Sequence, residues 1–320
     1  MSKKWKREEN SDIIFLMKKK IKKEKEEKIF EKKTEKKKIK TARKAAEEKE
    51  TKRKVVKEPV FEKQSKKEIY LSVVIPAYNE ATRLPITLVD IDKKLSEMNL
   101  PSYEILVVSD GSKDATADIV ERFKPLVKNL RLIANLENHG KGFVVREGML
   151  QAKGEIRIFT DADNSTTIDQ FLKMKPFFDE GAQIVIGSRT IKGAELDPPQ
   201  PILKRILGKA GNLFIQLVAV SGIWDTQCGF KAFRRTAAED IFSRTTIDRW
   251  AFDIEALALA RKLGYEIKEV PVYWKNDINS HVKLSSYFQV LWETVKIAYR
   301  IRKNNGEKRV EDNETETGRE

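Results

Sequence analysis

Five short apolar runs, at residues 70–76, 103–108, 130–134, 156–160 and 183–186, recur along the chain with helix-length segments such as 114–123, 142–152 and 168–178 between them. Strand alternating with helix predicts an α/β fold: a mostly parallel sheet with helices on both faces. Pro76 closes the first run, since proline cannot donate to a ladder. In open sheets of this kind, ligands collect off the carboxyl ends of the strands. The pattern changes after Arg189. A loop with Pro198, Pro199 and Pro201 leads into an apolar helix-like stretch over 202–220, a further strand is predicted at 270–274, and a helix over 287–301 places Leu291, Val295 and Ala298 on one side. No internal repeat is evident.

The fourth run ends in Asp161-Ala162-Asp163. Residues two apart on an extended segment point the same way, so both carboxylates converge on one spot. Such a pair repels itself in a dry cleft and is best neutralised by a hard divalent cation, which takes one or two carboxylates plus water and phosphate oxygens. By itself the triplet also describes a solvated acidic turn. Other strand ends add polar and glycine-rich segments: Pro76-Ala77-Tyr78-Asn79-Glu80, Ser109-Asp110-Gly111-Ser112-Lys113-Asp114 and Asn138-His139-Gly140-Lys141-Gly142. Asp114 suits a helix cap, and Asp110 could accept the N3–H of a uracil. The third segment lacks the spacing of a P-loop.

Charge is unevenly placed. Of the 63 Lys and Arg, 27 lie in residues 1–68 with 14 of the 49 Asp and Glu, which leaves 36 basic against 35 acidic residues beyond. A neutral body with a cationic extension argues against nucleic acid as the main partner and leaves an anionic membrane surface as a candidate for the extension. Residues 1–68 are predicted to be a Lys/Glu-rich solvated segment, 69–303 the folded domain and 304–320 a polar tail. Cys228 has no second cysteine to pair with, and His139 and His281 lack partners at zinc-ligand spacing. The longest apolar run near the start, 13–17, is too short to span a bilayer.

The ordered segments V-V-I-P-A-Y-N-E, S-D-G-S-K-D, N-H-G-K-G, D-A-D, G-S-R, D-T-Q-C-G-F-K and R-W-A-F-D resemble family 2 glycosyltransferases of the GT-A fold over residues 69–303. The last two, at 225–231 and 249–253, look most like the dolichyl-phosphate glucosyltransferase branch, whose relatives use GDP-mannose or other nucleotide sugars.

The resemblance implies an inverting hexosyltransferase acting on a polyprenyl phosphate, with UDP-glucose and dolichyl phosphate as the expected pair. It implies that Pro76, Tyr78, Glu80, Asp110 and Lys141 bind the donor, that Asp161 and Asp163 hold Mg2+ or Mn2+ on its diphosphate, and that Ser188, Arg189, Lys204 and Arg205 gather the acceptor phosphate. Asp225 is the expected base or acceptor orienter. Ser109 departs from the Asp that relatives often carry, and Gly208 from the Ser of some.

A lipid acceptor implies a peripheral protein on the cytoplasmic face of a membrane, with the stretch 202–220 and the helix 287–301 as interfacial helices. The alternatives are a GDP-mannose-dependent enzyme, a family 2 transferase acting on a saccharide or protein, and a non-enzymatic protein that binds membrane or nucleic acid through its extension.

Overall fold

The computed structural model describes residues 68–199, 202–275 and 288–303, the side chains of 202–207 excepted. The expected extension, apart from Glu68, and the tail 304–320 lie outside the described residues, as do the side chains of Lys204 and Arg205.

Strands β1 (Leu71–Ala77), β2 (Tyr103–Asp110), β3 (Leu130–Asn135), β4 (Ile156–Thr160), β5 (Ile184–Ser188), β7 (Phe230–Arg234) and β8 (Ile267–Pro271) form one sheet in the order β3-β2-β1-β4-β7-β5-β8. Pairing is parallel except at β7, which runs antiparallel to both β4 and β5. The helices are α1 (Leu84–Glu97), α2 (Thr116–Phe123), α3 (Lys141–Gln151), α4 (Phe171–Asp179), α5 (Ile202–Val218), α6 (Arg235–Phe242), α7 (Phe252–Lys262) and α8 (288–303).

Burial on both faces explains the near-continuous apolar runs. Alternate residues of β1 and β2 divide between two core layers. Val74, Leu106 and Val108 pack with Val144, Val145 and Met149 of α3 and the inner faces of α6 and α7. Val73, Ile75, Ile105 and Val107 pack with Leu84, Leu88 and Ile91 of α1 and with Phe171 and Phe178 of α4. Because β1 to β4 are parallel, their carboxyl ends share one edge. At the opposite edge, buried Glu104 accepts from Ser72 Oγ, Lys153 N and Arg131 Nη1 at 2.6, 2.6 and 2.7 Å.

Several sequence expectations are corrected. Strand β1 continues one residue past Pro76, which faces Val108 of β2. Pairing with β4 has already ended at Val74, so the proline interrupts no ladder on that side. The single strand expected over 270–274 is two: β8 ends at Pro271, and β9 (Tyr273–Lys275) pairs with β6 (Glu195–Asp197) in a separate two-stranded sheet. Between them Val272 N donates to Ser188 O at 3.2 Å, while Val272 O accepts from Glu195 N at 3.1 Å. The helix expected over 168–178 opens with a 3-10 turn, Ile168–Gln170, before α4. Strand β7, inserted between β4 and β5, was not predicted.

Candidate active site

The acidic turn is built from three directions. Strand β4 delivers Asp161 at its carboxyl end; Thr87 Oγ1 of α1 donates to Ala162 O at 2.7 Å; and Lys275 N of β9 donates to Ser165 O at 2.8 Å. Asn164 takes a left-handed φ of 55° and donates Nδ2 to Asp90 Oδ2 at 2.8 Å, a conformation asparagine tolerates. Asp163 Oδ1 accepts from Ser165 N at 2.9 Å. Burial and the neighbouring Asp161 charge push the Asp163 carboxyl above its ordinary value. Lys141, from the first turn of α3, places Nζ 2.5 Å from Asp161 Oδ1. Burial opposes the lysine's charge, but the Asp161 carboxylate outweighs it and raises the Lys141 pKa.

The far side of Asp161 is closed by backbone. A β-carbon on Gly229 would lie 2.1 Å from Asp161 Oδ2, so any side chain there must push the Asp161 carboxylate aside. Gly229→Ala is therefore expected to displace the carboxylate and cost roughly a hundredfold in turnover, the usual effect of misplacing a reacting group by about 1 Å. A divalent-ion titration of activity checks it; full activity at ordinary metal concentration would contradict the arrangement.

Asp110 was expected to face a base. Its carboxylate, 2% exposed, instead gathers the β3–α3 loop, accepting from Asn138 Nδ2, His139 N and Gly140 N at 2.9, 2.8 and 2.8 Å. The β1–α1 turn interlocks with the β2–α2 turn: Lys113 N donates to Asn79 Oδ1 at 2.8 Å, Glu80 N to Thr116 Oγ1 at 2.8 Å and Ala81 N to Asp114 Oδ2 at 3.1 Å. Asp114 also accepts from Thr116 N at 3.0 Å, an Asx-type turn just before α2; the cap position itself is Ala115, with no side-chain capping bond, so the expected cap is displaced by one residue. Pro76 is buried within β1, Tyr78 is exposed, and Glu80 pairs with Arg83 at 3.4 Å. Burial holds the Glu80 carboxyl above its ordinary value, and Asp163 adds to that.

A second group sits at the end of β5. Arg189 donates Nε and Nη2 to Asp225 Oδ2 and Oδ1, both at 2.8 Å, and its backbone N donates to Oδ2 at 2.7 Å. Its guanidinium lies 4.7 Å from the Trp274 ring centroid. The fork expected to face a ligand phosphate is thus closed on Asp225, and Asp225 is held ionised. Burial works against that charge, but Arg189 outweighs it and keeps the carboxyl below its ordinary range. Such a carboxylate is a poor base. Ser188 is fully buried, its Oγ 3.4 Å from Thr190 Oγ1.

Between the two groups Lys231, fully buried in β7, donates to Asp253 Oδ1 at 2.7 Å and to Cys228 O. Asp253 acts electrostatically on Lys141, and Lys231 on Asp225, so opposite charges alternate from Asp161 to Arg189. Cys228 is buried and its thiol pushed up to about 12, which leaves it inert.

Sequence reasoning gave no role to Gly229, Asp253 or Glu269. The first two lie inside motifs already singled out, and only their long-range partners reveal what they do. Glu269, raised by burial, sits in β8 beside Ser188, where no local signal distinguishes it.

Among the described residues no cluster of three or more His, Cys, Asp or Glu is placed to hold a metal. Two carboxylates still fit a hard cation that completes its shell with water and phosphate oxygens.

Residues 72–242 match the model of Glycosyl transferase family 2. The chain is 40% identical over 244 residues to a dolichyl-phosphate beta-glucosyltransferase of Dictyostelium discoideum, covering 72% of this chain and 75% of the relative. It is 38% identical over 249 residues to the dolichyl-phosphate beta-glucosyltransferase ALG5C of Trichomonas vaginalis, covering 74% and 73%. Its fold matches the crystal structure of glucosyl-3-phosphoglycerate synthase from Mycobacterium tuberculosis in complex with Mg2+ and UDP, with a TM-score of 0.52, 16% identity and coverage of 73% and 79%.

Proposed function

The chain belongs to glycosyl transferase family 2, and from that premise we propose that it moves glucose from UDP-glucose to dolichyl phosphate with inversion at the anomeric carbon. It is a glycosyltransferase of the GT-A fold that transfers a hexose from a nucleotide sugar to a polyprenyl phosphate. Glucose, UDP and the β linkage are the finer part of the reading, supported by the names of its relatives.

The observation that carries the acceptor is the closed Arg189–Asp225 pair. A sugar hydroxyl needs a base to take its proton, and the carboxylate nearest that role is committed. A phosphate oxygen is already anionic at neutral pH and needs positioning rather than deprotonation. Saccharide and protein acceptors are disfavoured on the same ground.

Asp161 and Asp163 would hold the divalent cation, with Lys141 beside them to bind donor phosphate. When bound, the cation supplies Lewis-acid stabilisation to the departing nucleoside diphosphate. The residues of this chain do the rest. Thr87, Asp90 and Ser165 hold the acidic turn, and Gly229 lets Asp161 sit against β7. Asp110 holds the loop that leads into Lys141. Tyr78, Glu80 and Pro76 remain the proposed nucleoside side and Lys204 and Arg205 the acceptor side, with Ser188 buried and Arg189 engaged by Asp225.

No described helix is long and apolar enough to cross a membrane. Access to a lipid acceptor is proposed to use α8, where Phe288, Trp292 and Tyr299 are exposed at helical spacing, and α5, where Leu213 and Leu217 are exposed. The test is a panel of labelled nucleotide sugars and polyprenyl phosphates assayed for lipid-extractable product. Transfer to a soluble saccharide alone would overturn the acceptor assignment.

A further inference from the structure

Glu255, fully buried on α7, collects an unusual set of donors for one carboxylate. Thr246 N reaches its two oxygens at 2.9 and 3.0 Å, Thr246 Oγ1 donates at 3.0 Å and Ile247 N at 2.8 Å. Arg300, three turns along α8 from its start, donates to the same carboxylate and to Thr246 Oγ1. Glu293 of α8 accepts from Ala251 N at 3.2 Å. Helix α8 thus holds both ends of the loop 246–251: Arg300 reaches Thr246 and the buried Glu255 of α7, and the half-buried Glu293 accepts from Ala251.

That loop is what the first turn of α3 rests on. Phe143 N donates to Asp248 O at 3.1 Å, and Arg146 Nη2 donates to Asp248 Oδ1 at 2.7 Å. A β-carbon on Gly140 would lie 2.4 Å from Asp248 O, and one on Gly142 2.4 Å from Ile247 O. Lys141 stands between these two glycines, so its backbone has no freedom to move unless the loop moves. Its Nζ meets Asp161. Contacts therefore run without a gap from Arg300 through Glu255 and the loop to Lys141.

We propose that Arg300 and Glu255 are positioning residues for the donor: together they fix the loop that sets Lys141 at the acidic turn, so α8 governs nucleotide-sugar binding as well as any contact with lipid. The proposal rests on the reading of Lys141 as a ligand of donor phosphate. A helix serving only as a lipid contact would leave donor affinity unchanged when its inward side is altered.

The test uses the full chain and Arg300→Ala, Arg300→Lys and Lys141→Ala. UDP, with GDP in parallel, is titrated calorimetrically in Mg2+ without acceptor, and Michaelis constants are then measured for donor and acceptor. Coupling through residues that do not touch the ligand predicts roughly tenfold weaker nucleotide binding in Arg300→Ala, with the acceptor constant changed less than about twofold and Arg300→Lys recovering most of the loss. Amide protons of Thr246, Ile247 and Phe143 are expected to exchange faster in Arg300→Ala while those of β1 do not.

Weaker nucleotide binding in Lys141→Ala with wild-type binding and exchange in a folded Arg300→Ala would overturn the coupling alone. Unchanged binding in both variants would overturn the donor reading and the coupling with it. Should Arg300→Ala not fold, exchange and nucleotide binding in Arg300→Lys decide, with wild-type values in both overturning the proposal.

Discussion

Asp161→Asn and Asp163→Asn are each expected to lower the turnover of hexosyl transfer roughly a thousandfold while the protein stays folded, since a bound cation supplies several kcal/mol of charge stabilisation and each ~1.4 kcal/mol is tenfold. The change keeps the shape of the side chain and removes its charge. Folding survives because the turn is held by other groups: Thr87 on Ala162, Asn164 on Asp90, and Lys275 on Ser165. An asparagine oxygen at 163 can still accept from Ser165 N. At 161 the loss is twofold in kind, because the same carboxylate neutralises Lys141. Thermal melts establish folding, and activity measured against divalent-ion concentration reads the effect. Wild-type turnover in either variant, or full activity of the unmodified protein in chelator, would remove the acidic turn from the mechanism.

Arg189→Ala is expected to destabilise the fold by about 3–5 kcal/mol, because it leaves the Asp225 carboxylate buried without its partner. For a domain of this size that lowers the melting temperature by roughly 10 °C. Asp225→Ala strands the guanidinium in turn. The double variant should be less destabilised than the sum of the two, with a coupling of about 0.5–3 kcal/mol.

The pH dependence has a fixed sign. Arg189 holds the folded-state Asp225 carboxyl below the ordinary aspartate value, so the pair's contribution is complete above that ordinary value and is lost as pH falls through the lower folded value. The gap in stability between the unaltered protein and Arg189→Ala should therefore narrow in acid. Additive single effects, or a gap that widens in acid, would show that the pair is not the unit described.

The sheet was legible because strands buried on both faces must be largely apolar: β1 is, and the central residues Ile105 to Val108 of β2 and Ile158 and Phe159 of β4 are. Strand β7, F-K-A-F-R, was not: it is as short as β4 and, like it, carries a charged second residue, but it follows the turn-rich segment 221–229 instead of standing in the regular strand–helix alternation. The Asp253 that neutralises its Lys231 lies 22 residues further on. The site divides the same way. Asp161 and Asp163 stood out as neighbours two apart after a strand, but β4 ends at Thr160 and the pair lies in a turn closed by Asn164 N on Asp161 O at 3.2 Å, not on the extended segment the spacing assumed. Arg189 and Asp225 were each read as facing a ligand, because nothing in the sequence shows that residues 36 apart face each other. Asp110 was read as a base contact for the same reason, its partners Asn138 to Gly140 being supplied by the next strand connection.

The central claim is that this GT-A site joins a nucleotide-bound glucose to a lipid-borne phosphate. The most direct measurement incubates the full-length protein with UDP-[glucose-labelled] donor, Mg2+ and dolichyl phosphate dispersed in detergent. It follows label into the lipid phase and released UDP in the aqueous phase. The account predicts equal amounts of β-linked lipid-phosphate glucose and UDP, both abolished when the acceptor phosphate is replaced by the free polyprenol. UDP release with all label in water-soluble product, or equal transfer to the free polyprenol, would contradict it.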